Sequence, residues 1–96
     1  MADATRRWRI ATPAGLTWRE WDGEFVVRDE RTGNTHLLDA RAGAVFANLI
    51  GADVALSVSE ITLDLRDPSD GGVLEREIEA VLAALERIGL AAAEPT

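Results

Sequence analysis

At 96 residues and 10.4 kDa the chain has room for one small domain with one core, because a fold of this size buries roughly 60–65% of its unfolded surface. A hydrophobic fraction of 47% beside 28% charged residues fits a globular chain and is too apolar for a disordered one. The absence of cysteine excludes disulfides, thiol catalysis and cysteine-based metal sites, and the single histidine, His36, excludes a multi-histidine centre. No apolar run approaches the ~18 residues of a membrane span, and MADATRRWRI lacks the apolar stretch of a signal peptide. The expectation is a cytoplasmic, single-domain protein without a membrane partner.

Residues 1–48 carry seven arginines and seven acids, and residues 49–96 carry three arginines against ten acids. The net charge of −7 therefore sits in the second half. An acidic half repels phosphate backbones, so nucleic acid is not expected as a partner.

Leu16–Trp21 and Glu24–Asp29 read as two strands rich in Trp, Phe and Val. Asp22-Gly23 between them is a strong hairpin signal, because a type I′ turn needs positive φ at both central residues. A two-residue loop pairs Trp21 with Glu24, Glu20 with Phe25 and Trp18 with Val27, which puts Leu16, Trp18, Phe25 and Val27 on one core-facing side. Thr17, Arg19, Trp21, Val26 and Arg28 share the other, wetter face. Trp21 there is either a partner contact or surface packing beside the turn. A second turn at Glu30–Asn34 returns the chain into Thr35-His36-Leu37-Leu38. A two- or four-residue loop places His36 and Leu38 on the side of Phe25 and Val27, whereas a bulged three-residue loop reverses them.

Asp39 is a candidate N-cap for a helix with Ala42, Val45, Phe46, Leu49 and Ile50 on one side and Gly51 as its stop. Ser57 and Glu60 have capping-box spacing before a short helix with Val58, Ile61 and Leu65 on one side, ended by Asp67-Pro68. A third helix is expected from about Gly72 to Ile88, stopped by Gly89. At 100° per residue, Leu74, Ile78, Val81, Leu82, Leu85 and Ile88 form its core stripe, and Glu75, Glu79 and Glu86 a solvated flank. Val73, Ala80 and Ala84, with Glu77 as the only charge, form an opposite flank of small apolar residues. That flank is either a groove wall or the by-product of an alanine-rich composition.

Catalytic patterns are not found. Glu75 and Glu79 merely share an exposed helix face, no serine lies in a G-x-S-x-G elbow, and Gly71-Gly72 lacks the surroundings of a phosphate loop. His36, inside a strand beside two leucines, reads as a packed histidine. The expectation is no enzyme, no cofactor and no metal. The free edge of Asn34–Leu38 is harder to explain, since exposed edges are normally protected by Pro, Lys, bulges or a covering element. Either Trp8–Pro13 or a second copy covers it, giving a possible homodimer, or it accepts an extended peptide as a further strand.

Trp18 to Ile50, WREWDGEFVVRDERTGNTHLLDARAGAVFANLI, resembles the PqqD-like peptide chaperones, or RiPP recognition elements, with the HPr-rel-A system branch most similar. The W-x-x-W-D-G-E-F-V-V hairpin and the Gly33–Asp39 block carry the likeness, which extends over roughly Trp8 to Leu90. It implies one PqqD-like domain over 1–96 with an ordered core of about 8–90. The implied fold is α+β and winged-helix-like: a three-stranded antiparallel sheet followed by three helices. It further implies a non-catalytic peptide chaperone that binds the leader of a ribosomally made precursor peptide and presents it to a modifying enzyme. The leader would dock as an added strand on the third strand, at Thr35, His36, Leu37 and Leu38, and against Val73, Glu77, Ile78, Val81 and Ala84 of the third helix. A scaffold subunit bound to an HPr-kinase-related protein is the alternative. Glu75, Glu77 and Glu79 would suit a partner with basic residues.

Overall fold

The computed structural model describes residues 6–66 and 74–94. Asp67-Pro68, Gly71-Gly72 and Val73 lie outside the described residues.

The first sheet is an antiparallel meander of β2 (Leu16–Trp21), β3 (Glu24–Asp29) and β4 (Asn34–Leu38). Its register follows from its turns. Asp22 and Gly23 both have positive φ, 54° and 82°, and Trp21 pairs with Glu24, Glu20 with Phe25 and Trp18 with Val27. The second turn has four residues, Glu30–Gly33, with Asp29 opposite Asn34; His36 thus lies across from Val27 and Leu38 across from Phe25. Asp29 holds this turn through Arg31: its carboxylate accepts from the Arg31 backbone N–H at 3.0 Å and from the guanidinium at 2.9 and 3.2 Å.

Helix α1 (Ala40–Ile50) follows β4 after one residue, Asp39, whose carboxylate accepts from the Ala42 N–H at 2.8 Å as N-cap. Gly51 closes the helix. Helix α2 (Val58–Leu65) opens with a complete capping box between Ser57 and Glu60, and α3 (Leu74–Arg87) ends before Gly89 at φ 85°. Phe46, Val45, Leu49, Ile61, Leu74, Ile78, Leu82 and Leu85 bury the helices' inner sides against Val27, Phe25 and Leu38. Gly43 lets α1 approach the sheet closely, because a Cβ there would stand 2.5 Å from the Phe25 ring.

A second small sheet was not expected from the sequence. Strand β1 (Arg7–Ile10) lies between β5 (Leu56–Ser57) and β6 (Ala91–Glu94), antiparallel to both. It closes the domain from below and buries Trp8, Ile10, Leu90 and Ala91. Trp8–Ile10 is thereby committed to this sheet and does not cover the edge of β4.

Two core assignments are corrected. Trp18, expected inside, is 46% exposed and only leans edge-on against Phe46, at 5.8 Å between ring centroids. The helical layer covers β3 and β4 but not the outer length of β2, where Leu16 alone is buried. Ile88, assigned to the α3 core stripe, is 43% exposed. The helix ends at Arg87, so the 100° progression no longer applies at Ile88, which sits in the turn to Gly89.

Candidate functional site

The site begins with hydrogen-bond alternation. In an antiparallel pair each residue turns its N–H and C=O to one side, and successive residues turn to opposite sides. The two-residue turn makes Trp21–Glu24 a hydrogen-bonded pair, so Glu24, Val26 and Arg28 face β2. The Glu30 N–H donates to the Gly15 carbonyl at 2.8 Å, continuing the same phase beyond the strands. Phe25, Val27 and Asp29 then face β4 and are met by Leu38, His36 and Asn34. Thr35 and Leu37 are left turned to the open side, where no described strand pairs with them. The sheet therefore offers two N–H and two C=O groups in the spacing of one more antiparallel partner.

Beside this edge lies a groove of about 620 Å³, within the size range of ligand clefts. The end of β4 supplies one wall with Leu37 and Leu38, and the first turn of α1 a second with Asp39, Arg41 and Ala42. Helix α3 forms the long wall from Glu77 through Ala80, Val81 and Ala84, with Leu85 at the base, and Ile88 in the turn after the helix completes it. The two alanines keep the helix surface low, which opens room over Val81. At one end, Arg41 pairs with Glu77 at 3.2 Å, both side chains between a third and a half exposed. The rest of the lining is apolar apart from Asp39.

Of the residues expected at the site, Leu37, Leu38, Glu77, Val81 and Ala84 line this groove together. Thr35 is exposed and contributes backbone to the edge, and His36 is half-buried on the inner side of β4 without reaching the groove wall. Ile78 is fully buried and faces the core, so a ligand could meet it only through its neighbours. Val73 lies outside the described residues. Glu75 and Glu79 are exposed but not on the groove, leaving Glu77 as the acidic side chain α3 directs there. Sequence reasoning missed Arg41, Ala42, Leu85 and Ile88 as lining residues, and read Asp39 only as an N-cap. A signal existed for Arg41 and Ala42: one residue separates β4 from α1, so the first turn of α1 must border the end of that strand.

The outward face of the meander carries exposed Trp21, Val26 and Leu37, and Val26 and Leu37 are directly paired across β3 and β4. Among the described residues there is no cluster of three or more His, Cys, Asp or Glu able to hold a metal ion, and no helix long and apolar enough to cross a membrane.

No protein-family model and no curated protein matches the chain. A solved structure does: TbiB1 in complex with the TbiA(beta) leader peptide, with a TM-score of 0.68 at 21% identity. The alignment covers 92% of this chain and 99% of that one. The two share a fold. In this chain it is an α+β fold, with the three-stranded meander, the three helices and the small second sheet.

Proposed function

We propose that the chain is a non-catalytic peptide chaperone that captures the leader segment of a ribosomally made precursor peptide and presents it to a modifying enzyme. The observation that carries this reading is the edge of β4, which no described strand pairs, running beside an apolar groove walled by α3. An extended segment satisfies both features at once. Its backbone bonds to Thr35 and Leu37, and alternate side chains enter the groove over Ala80, Val81 and Ala84. The shared fold supports the reading, because TbiB1 has been solved holding a leader peptide. The resemblance of Trp18–Val27 and Gly33–Asp39 to the PqqD-like peptide chaperones also supports it.

The test pairs capture with amide exchange. A tagged protein incubated with host lysate should retain a short ribosomal peptide, and Ala84→Glu, which places a charge in the groove wall without entering the core, should lose it. With the recovered peptide bound, the Thr35 and Leu37 amides should slow in hydrogen exchange while the outer-edge amides of β2 stay unchanged. Peptide binding that survives Ala84→Glu, or leaves both amides exchanging as before, would sink the proposal. Recovery of a large kinase-related protein alone would favour the scaffold alternative.

A further inference from the structure

We infer that the groove selects an extended segment in which a lysine or arginine lies two residues from a bulky apolar residue, an inference that rests on the strand-addition reading above. Three charged side chains line the groove: the carboxylates of Asp39 and Glu77 and the guanidinium of Arg41. Arg41 is already engaged by one oxygen of Glu77, and one oxygen of Asp39 is engaged by the Ala42 N–H. The lining thus holds an excess of one negative charge at the end where α1 and α3 meet, with apolar wall along the rest.

The spacing fits a strand. Glu77 and Val81 stand one turn apart on α3, about 6 Å along its axis. Residues i and i+2 of an added strand point the same way and are about 6.6 Å apart. With the added strand running along α3, one such residue over Val81 and Ala84 places the other beside Glu77. A cation there meets the carboxylates of Glu77 and Asp39 against one guanidinium already paired with Glu77, whereas a carboxylate meets two like charges against that single, engaged cation. The wider charge distribution acts in the same direction. Glu75, Glu79 and Glu86 on α3 belong to the half of the chain that carries the whole net charge of −7, and their field favours approach of a cationic segment.

The experiment is a positional-scanning library of ten-residue peptides, each with Leu, Phe or Trp at a central position and all other positions varied, selected on the intact protein. At low salt the bound fraction should be enriched about five-fold in Lys and Arg over Asp and Glu at one of the two positions two residues from the apolar anchor. The enrichment should fall below about two-fold at ~0.5 M NaCl, where screening shortens the reach of exposed charges. Glu77→Gln and Asp39→Asn, the latter keeping a good N-cap, should each reduce the enrichment. Bound peptides that protect Thr35 and Leu37 but show no charge preference, or prefer acids, overturn the charge inference and leave strand addition standing. A library from which nothing binds overturns both.

Discussion

Asp29 is a buried carboxylate on the inner side of β3, its side chain 8% exposed, and it is held by one neighbour. The Arg31 side-chain hydrogen bonds lower its pKa from the ordinary aspartate value, burial opposes them, and the Arg31 backbone N–H adds to the lowering. Glu60 is lowered too, first by the Ser57 N–H of the capping box and then, against burial, by Arg7 at 2.8 Å. A depressed folded pKa contributes stability that is present above the unfolded value, about 4, and is lost as pH falls through the folded value. Asp29→Asn should therefore be less stable than the parent near neutral pH. The two denaturation midpoints should converge as pH drops below about 4, and a difference that stays constant down to pH 2 would exclude this origin.

At the scale of elements, α1 is pressed onto the sheet at Gly43, and two effects compete in Gly43→Ala. Helix propensity favours alanine by about 1 kcal/mol. Overpacking against Phe25, where the new methyl would stand 2.5 Å from the ring, costs about 1–3 kcal/mol. Phe25 is itself buried and rests edge-on against Phe46, so its ring has little room to retreat. The expected outcome is a net loss in urea midpoint, and a gain would mean that the sheet yields to the helix. The meander strands and the three helices were legible in the sequence because they are bounded by local chemistry, whereas β1, β5 and β6 were not. Asp22-Gly23 sets the hairpin, Asp39 and Gly51 bound α1, and the Ser57–Glu60 box starts α2. Trp18 and Ile88 were misread for a common reason: a face pattern shows which side a residue points to, but not whether another element reaches far enough to cover it.

For the whole molecule, the small sheet ties residues near both ends of the described chain to its middle. Strand β6 pairs with all four residues of β1, from Arg7 with Glu94 to Ile10 with Ala91. Removing residues 91–96 should uncover part of Trp8 and Ile10 and cost about 2–4 kcal/mol by loss of apolar burial. Thermal unfolding reads this directly, and an unchanged midpoint would mean that β6 adds nothing to the core. The groove, built from β4, α1 and α3 on other parts of the molecule, should keep its peptide affinity at temperatures where the truncated chain remains folded.

What the sequence determined by itself is local: strand register from turn length, helix limits from caps and glycine, and an apolar flank on α3 from the 100° progression. The same flank and the unprotected Asn34–Leu38 edge were legible as two separate peculiarities. The family resemblance implied that they adjoin, and only the tertiary structure decided that β1 is committed to β5 and β6 instead of covering β4, and that Arg41 meets Glu77 at the groove's end. The physical reason is range. Turns and caps are settled by hydrogen bonds within a few residues. The small sheet joins strands of four, two and four residues, one of them the weak strand former Ala91-Ala92-Ala93-Glu94, and it forms only because closing the core makes their pairing favourable.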